Sequence, residues 1–199
     1  MPEKDLTELI FIISRVGPME VVWNDAVAGF NELVDHQRKA PGKALLTLVL
    51  FDRDHELLYD GTPLDQVKPL RNAPYTLGGD SAELDAIGRT IQYVTERLGK
   101  SHGGSSPSRV TTVIITEGYD RISMEFTYKQ IAKMIRYQEE AHGWKFILAT
   151  VREDPLGMAS AISIGPEDAY HFEPTGVGIR KMFKDLDLRI SELRNGDSA

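Results

Sequence analysis

The stretch LIFIISRVGPM, Leu9–Met19, joins an apolar run to a polar loop and to the start of a helix. The run Leu9–Ile13 shows no alternation of polar and apolar residues, which is typical of a strand buried on both faces of a sheet. Pro18 suits the first turn of a helix, where its missing N–H costs nothing, and Glu20 suits the positive end of the helix dipole. The stretch predicts a strand, a loop and a helix, the repeating unit of an open α/β sheet.

Further apolar runs of the same character alternate with helical patterns along the chain. Strands are predicted at Ala44–Phe51, Val110–Thr116 and Lys145–Val151, with a short last strand at Ala169–Phe172. Apolar residues recur with a period near 3.6 in four predicted helices, Val21–Arg38, Ala82–Leu98, Tyr128–Ala141 and Ile179–Leu193. This alternation predicts a three-layer, Rossmann-like α/β fold, with a mostly parallel sheet of about six strands and helices on both faces.

One connection departs from this alternation. The polar residues 52–56, DRDHE, separate the run that ends at Phe51 from the strand-like Leu57–Tyr59, which Asp60 and Gly61 close. A polar link this short predicts a hairpin, so one strand is expected to be antiparallel and to lie at an edge of the sheet. The 199 residues contain no internal repeat and fit a single domain over 1–199, with a core from about residue 6 to residue 194.

The composition argues against several classes of protein. The formal net charge of -7 at pH 7 disfavours a nucleic-acid partner and docking on anionic lipid. No apolar run approaches the ~18 residues of a membrane-spanning helix, and the first residues lack the features of a secretory signal. Cysteine is absent, so a disulfide framework, a thiol nucleophile and a thiolate metal site are excluded. A cytoplasmic protein without a membrane or nucleic-acid partner is expected.

Three loops follow predicted strands or open the helices beyond them. They span residues 14–19 (SRVGPM), 78–82 (GGDSA) and 117–120 (EGYD). Ligands of open α/β sheets bind outside the carboxyl ends of the strands, so the three loops are predicted to meet at one crevice. The motifs GxxxxGK[ST], GxGxxG and GxSxG are absent, and the five histidines are scattered without a metal-binding pair on one helix. The chain is therefore not expected to be an enzyme.

The order of elements and the three loops resemble the von Willebrand factor type A (vWA) domain, most closely its compact bacterial and phage form. The phrases FIISRVGPM, GFNELVDHQRK, LTLVLFD with LLYDG, GGDSAELDAIGRTI and VIITEGYD carry the resemblance, which covers about residues 6–194. Members of this family usually hold Mg²⁺ in a metal-ion-dependent adhesion site formed by an Asp-x-Ser-x-Ser loop, a Thr and an Asp. A partner's carboxylate completes the shell of hard oxygen ligands that Mg²⁺ requires.

The resemblance implies that this metal site is degenerate here. The Asp of the first loop falls on Ser14, and its two serines fall on Val16 and Pro18, neither of which has a side-chain oxygen. The Thr falls on Ser81 and the last Asp falls on Glu117. We therefore expect no metal and no other cofactor. If Mg²⁺ were held after all, the ligands would come from Ser14, Asp80, Ser81 and Glu117.

The resemblance implies a non-catalytic module that binds a protein partner through the face formed by the three loops. The residues expected on this face are Ser14, Arg15, Met19, Tyr75, Ser81, Glu117, Tyr119, Asp120 and Arg121. Tyr and Arg are common interface anchors, and Met adapts to varied partners. Tyr75 fits a loop-packing role equally well, and Asp80 or Ser81 fits the N-cap of the next helix. Two alternatives stay open, a divergent metal-binding domain that assists or performs metal-dependent chemistry and a structural or assembly subunit.

Overall fold

The computed structural model describes residues 3–71, 80–100 and 106–196. In this part of the chain six strands form one sheet, β1 (Glu3–Ser14), β2 (Lys43–Phe51), β3 (His55–Pro63), β4 (Pro107–Thr116), β5 (Lys145–Thr150) and β6 (Ala169–His171). The helices are α1 (Pro18–Val21), α2 (Trp23–Lys39), α3 (Glu83–Lys100), α4 (Tyr128–His142), α5 (Pro155–Ala161) and α6 (Gly176–Asn195). Over these described ranges no helix is long and apolar enough to cross a membrane.

The sheet has the strand order β3-β2-β1-β4-β5-β6. Neighbouring strands are parallel except for β2 and β3, which pair antiparallel at one edge. The predicted mostly parallel sheet with one antiparallel edge strand is therefore confirmed. The chain runs outward from β1 to β2 and β3, and then crosses back past β1 to β4, β5 and β6. The strand order thus reverses between β1 and β4, and the carboxyl ends of strands at such a reversal are where open α/β sheets generally bind ligands.

Helices cover both faces of the sheet, as the apolar runs predicted. The helices α2 and α6 cover one face, and their core includes Leu9, Phe11, Phe30, Leu48 and Phe183. The helices α3, α4 and α5 cover the other face, and their core includes Ile10, Ile12, Ile87, Ile114 and Ile135. Alternate residues of β1 therefore enter opposite cores, and this explains why the strand is apolar at successive positions.

Two helical features differ from the predicted elements. The predicted helix Val21–Arg38 corresponds to α2, and a separate single turn, α1, precedes it and follows the first loop. Helix α5 was not predicted, because seven residues are too few to show a helical period. Its local signals are nevertheless clear, since Pro155 lies in the first turn and the Asp154 carboxylate accepts a hydrogen bond from the backbone N–H of Gly157 at 2.8 Å.

Candidate functional site

The first loop is tied to the hairpin between β2 and β3. Ser14, the last residue of β1, lies opposite Phe51 at the end of β2, and the backbone N–H of Arg15 donates to the Phe51 carbonyl at 2.8 Å. The Arg15 guanidinium forms ion pairs with Asp52 at 3.1 Å and with Glu56 at 2.6 Å. Arg15 therefore holds the hairpin against the first loop, and both of its partners belong to the protein itself.

The second and third loops are joined by backbone hydrogen bonds. The Ser81 carbonyl accepts from the N–H groups of Arg121 at 2.9 Å and Ile122 at 3.2 Å. The N–H of Ala82 donates to the Asp52 carbonyl at 2.9 Å. The hairpin, the start of α3 and the loop after β4 therefore meet at the carboxyl edge of the sheet, and Arg15 ties the first loop to the same hairpin.

Glu117, the first residue of the third loop, contacts the first loop. A Cβ atom added to Gly17 would stand 2.2 Å from Oε2 of Glu117, so the carboxylate lies directly over the backbone of the first loop. Gly17 has a φ of 58°, and this left-handed conformation favours glycine at the position of closest approach. Glu117 is 3% exposed. Burial raises the pKa of its carboxyl group above the ordinary value, while the nearby charge of Arg121 lowers it.

Two hydroxyl groups of the predicted site are fully buried. The Ser14 Oγ accepts a hydrogen bond from the backbone N–H of Val16 at 3.4 Å. Among the described residues, the Ser81 Oγ and the Oε1 atom of Glu117 have no hydrogen-bond partner. The side chain of Val16 is 1% exposed. In the first loop, the Ser14 hydroxyl is therefore bonded to the loop's own backbone, and the apolar side chain of Val16 is buried.

Four residues expected on the partner-binding face are buried, since Ser14, Ser81 and Met19 are 0% exposed and Glu117 is 3% exposed. Met19 is the clearest correction. It was expected at a partner-binding surface, but it is 0% exposed and packs into the core beneath α2 and α6. Met19 lies in the single turn of α1, and its side chain belongs to the core. Burial of a methionine side chain contributes about 1.5–3 kcal/mol. Val21, two positions further on, is 84% exposed instead.

Glu83 is a site residue that the sequence analysis missed. It begins α3, is 1% exposed, and its Oε2 accepts a hydrogen bond from the Thr116 hydroxyl at 2.8 Å. Burial raises the pKa of Glu83 to about 7, with smaller contributions from the charges of Asp120 and Glu117. An acidic residue in the first turn of a helix is ordinary, so nothing in the sequence alone separates Glu83 from a helix-capping acid.

Asp85 shapes the loop that follows β4. Its carboxylate accepts three backbone hydrogen bonds, each at 2.9 Å, from Met124, Glu125 and Phe126. Burial opposes ionisation of Asp85, but the three N–H donors lower its pKa below the ordinary value. This acid is therefore a structural residue that fixes residues 124–126 against the start of α3.

The remaining predicted residues lie around the same edge. Asp80 is 41% exposed in its side chain and pairs with Arg53, while the Asp120 carboxylate accepts from the Leu84 N–H at 3.3 Å and from the Ser123 hydroxyl. Tyr119 is 51% exposed. Tyr75 and the paired glycines of the second loop lie outside the described residues. Within residues 3–71, 80–100 and 106–196, no group of three or more His, Asp and Glu side chains is arranged to hold a metal ion.

Arg152 joins the site from the turn after β5, and the sequence analysis did not single it out. Its guanidinium carbon lies 5.1 Å from the centre of the Tyr119 ring, and the guanidinium carbon of Arg121 lies 6.0 Å from the same point. Both distances are within the range of cation–π contacts. Two arginines therefore flank one exposed tyrosine at the carboxyl edge of the sheet.

Comparisons with known proteins bear on the fold. No protein-family model and no curated protein matches the sequence. Two crystal forms of proximal thread matrix protein 1 from the mussel byssus match with TM-scores of 0.63 and 0.67 at 11% identity, over 94% of this chain and 46% and 48% of theirs. The pilus adhesin SpaC from Lactobacillus rhamnosus GG matches with a TM-score of 0.65 at 7% identity, over 96% of this chain and 30% of that one.

A vWA protein is among these structural matches. The ArnB paralog VWA2 from Sulfolobus acidocaldarius has a TM-score of 0.57 at 16% identity, over 92% of this chain and 45% of that one. The fold is therefore vWA-like, in agreement with the resemblance seen in the sequence. This chain spans less than half the length of each of these structures, and identities this low establish a common fold alone.

Proposed function

We propose that this protein is a non-catalytic interaction module of the vWA type, which binds a protein partner at the carboxyl edge of its sheet. The observation that carries the proposal is an exposed apolar rim, defined as Val21, Tyr119, Met124, Tyr128, Leu156 and Val177. These six are among eleven large hydrophobic residues exposed in the described part of the chain. Concentration of exposed apolar side chains on one surface is typical of an interaction site.

The positions of the rim residues follow from the topology. They lie in loops or first helical turns after β1, β4, β5 and β6, which run parallel and end at the same edge. Met124 is 93% exposed and Val177 is 73% exposed, although neither has a polar group to compensate for contact with water. One of the structural matches is described as a pilus adhesin, and the proposal gives this chain a comparable binding role.

The proposed face works without a metal ion. The side chain at position 16 is an apolar residue buried to 1% exposure, the Ser14 hydroxyl accepts from the backbone, and Asp80 is paired with Arg53. Glu117 is the one acid left at a family ligand position, and a single carboxylate does not supply the near-octahedral set of oxygens that Mg²⁺ requires. The chemistry of these residues supports a binding face that works without the ion.

The metal-dependent alternative has one observation in its favour. The Ser81 Oγ and the Oε1 atom of Glu117 are buried, and neither has a hydrogen-bond partner among the described residues. Buried polar atoms without partners are unusual in folded proteins, and a bound ion is one way to satisfy them. A response of the protein's thermal stability to divalent ions separates the two functions.

The proposed function is tested by affinity capture from the cells that make the protein. The bait is the wild-type chain, a rim variant with Met124→Asp and Leu156→Asp, or a control with Leu188→Asp. Leu188 is 64% exposed in the second half of α6, away from the rim. A partner that binds the rim is retained by the wild type and by the control, and lost by the rim variant. Equal capture by all three baits contradicts the proposal.

A further inference from the structure

The strands β4 and β5 end in the same way. Thr116 and Thr150 lie opposite each other as the last residues of the two strands. The Thr116 hydroxyl accepts from the Gly118 N–H at 2.9 Å, and the Thr150 hydroxyl accepts from the Arg152 N–H at 3.2 Å. Each threonine therefore turns the chain two residues later, and the two turns bring Gly118 and Arg152 side by side.

Arg152 is fixed on the turn after β4 by contacts along its length. A Cβ atom added to Gly118 would stand 2.4 Å from Cδ of Arg152, so the aliphatic part of the arginine packs directly on the glycine. One guanidinium N–H donates to the Gly118 carbonyl at 3.1 Å. The guanidinium then faces the Tyr119 ring, with Arg121 near the same ring. An arginine held in this way loses little conformational entropy when it binds a ligand.

Within residues 3–71, 80–100 and 106–196, the two guanidinium groups have hydrogen-bond donors for which no acceptor is described. Neither Arg121 nor Arg152 forms an ion pair with any described residue, whereas Arg15, Arg53 and Arg180 each do. Each guanidinium has five N–H donors, and the Gly118 carbonyl accepts one of those of Arg152. The edge therefore presents donors in the planar arrangement that suits a carboxylate.

The nearby acidic groups do not occupy these donors. Glu83 and Glu117 are 1% and 3% exposed, so a partner that approaches the edge does not contact them. The Asp120 carboxylate accepts from the Leu84 N–H and the Ser123 hydroxyl. Arg121 is exposed and Arg152 is half-buried, so both guanidinium groups are accessible to an acidic group of a partner. Glu153 and Asp154, which follow Arg152, are also exposed, but no ion pair is described between either of them and Arg152.

We propose that the carboxyl edge recognises an acidic side chain of a protein partner through the paired guanidinium groups of Arg121 and Arg152. This inference rests on the proposed function, because it names the chemistry of the partner that binds the same face. The formal net charge of the chain is -7, so an acidic partner is repelled by the protein as a whole and attracted at this edge. The rim residues Met124 and Leu156 predict that large apolar side chains lie beside the acid in the partner.

The experiment uses a display library of random linear peptides, selected on the full chain. Wild type is compared with Arg121→Gln plus Arg152→Gln, with Arg121→Lys plus Arg152→Lys, and with the rim variant Met124→Asp plus Leu156→Asp. Arg136→Gln is the matched control, because this exposed arginine of α4 makes one described hydrogen bond, to Ser163 at 3.3 Å. Thermal unfolding of every variant is measured first, so that loss of binding is separated from loss of the fold.

The proposal expects wild type to enrich peptides with Asp or Glu next to a large apolar residue. The double Gln variant binds them about tenfold to a hundredfold more weakly, since hydrogen bonds to charged groups contribute about 1.5–3 kcal/mol. The double Lys variant keeps part of the affinity, and Arg136→Gln keeps all of it. Replacing the Asp or Glu of the peptide by Asn or Gln weakens its binding to the wild type. The same replacement does not weaken its binding to the double Gln variant any further, as expected when the acid and the arginines interact directly.

Two kinds of result overturn the inference, and they are distinguishable from each other. If enriched peptides lack an acid, or bind the double Gln variant as tightly as wild type, the two arginines do not recognise an acid. If the rim variant nevertheless fails to bind these peptides, the proposed function is supported and only this inference is wrong. If no peptide is enriched, or if the rim variant binds every enriched peptide normally, both the inference and the proposed function are wrong.

Discussion

Two buried carboxylates of this protein differ in what surrounds them. Glu8, in β1, is 0% exposed, and its Oε1 accepts from the Thr47 hydroxyl at 2.6 Å and from the guanidinium of Arg97. Glu83, at the carboxyl edge, is 1% exposed, and the hydrogen bond that the structure describes for it comes from the Thr116 hydroxyl. The first carboxylate is held by a cation, and the second has no described cation in contact.

The arginines near each carboxylate account for this difference. Arg97 reaches inward to Glu8 and also pairs with Asp60 at 2.9 Å. Arg121 and Arg152 lie near the acids of the carboxyl edge, but they face the ring of Tyr119. The Glu8 network therefore pairs its buried carboxylate with a cation, whereas at the edge Glu83 and Glu117 are buried and the guanidinium groups are accessible. Burial without a partner disfavours the charged form of an acid, and such groups concentrate at functional sites.

The largest effect is expected from removing the cation of the Glu8 network. Arg97→Met leaves the Glu8 carboxylate buried without its guanidinium, and loss of one member of a buried ion pair costs about 3–5 kcal/mol. Urea unfolding measures the change in the free energy of unfolding. Arg97 is 24% exposed in its side chain, so the expected loss lies near the lower end of this range. Arg136→Met, as the control, is expected to change stability by less than about 0.5 kcal/mol; a similar value for both variants would contradict the comparison.

The next effect is a dependence of stability on pH that comes from Glu83. Burial raises its pKa to about 7 from an ordinary value of 4.5, so between these pH values the folded chain binds a proton that the unfolded chain has lost. The contribution of Glu83 to stability therefore falls as pH rises from about 4.5 to about 7, and it is constant above that range. The total fall corresponds to about 3 kcal/mol.

Glu83→Gln isolates this contribution, because the amide does not titrate. Urea unfolding of both proteins at about pH 5 and about pH 8 is expected to show a smaller loss of stability in the variant over this interval. Glu117, whose pKa is raised by burial in the same direction, is present in both proteins and therefore does not produce the difference. Parallel pH profiles would show that Glu83 titrates as an ordinary exposed acid.

A smaller effect is expected from a methyl group placed under Arg152. Gly118 and Gly143 have φ values of 79° and 66°, so alanine at either position adopts a left-handed conformation that costs roughly 1–2 kcal/mol. A Cβ atom at Gly118 would also stand 2.4 Å from Cδ of Arg152, whereas nothing lies within 4 Å of one at Gly143. Gly118→Ala is therefore expected to lower the free energy of unfolding by about 1 kcal/mol more than Gly143→Ala.

The two glycine variants also separate stability from binding. Displacement of Arg152 by Gly118→Ala is expected to weaken the binding of acidic peptides, and Gly143→Ala is expected to leave it unchanged. Thermal unfolding and peptide binding are measured on the same preparations. Identical behaviour of the two variants would mean that the contact between Gly118 and Arg152 does not position the guanidinium.

The smallest effect is expected from divalent ions. An intact site with Mg²⁺ at about 100 times its dissociation constant would add about 2.7 kcal/mol, a melting shift of roughly 5–10 °C for a domain of this size. We expect a shift near zero for the wild type. A rebuilt variant with Ser14→Asp, Val16→Ser, Pro18→Ser and Glu117→Asp restores the family's ligand types and is expected to melt higher with Mg²⁺ than without it.

The buried position of Val16 affects how this comparison is made. Its replacement by Ser removes an apolar side chain that is 1% exposed, so the rebuilt variant is expected to be less stable than the wild type before the ion is added. Each protein is therefore compared with itself, with and without Mg²⁺. A shift of several degrees in the wild type would support the metal-dependent function in place of the proposed one.

The sequence was informative about features that depend on neighbours in the chain. Buried strands are apolar at successive positions and amphipathic helices repeat every 3.6 residues, so the strands, the hairpin and the two helical layers were all predicted. Met19 is a residue whose burial such patterns did not predict. An apolar residue after a strand is compatible with a core or with a surface, and the single turn of α1 decided for the core.

The chemistry of the carboxyl edge was decided by the tertiary structure. Glu83 receives its hydrogen bond from Thr116, 33 residues away, and Arg152 packs on Gly118, 34 residues away. The sequence by itself determined that loops would meet at this edge, because parallel strands of alternating βα units end on the same side. Which side chains became buried there and which stayed accessible depended on packing between β4, β5 and α3. Periodicity carries no information on that packing, because the partners are brought together only by the completed sheet.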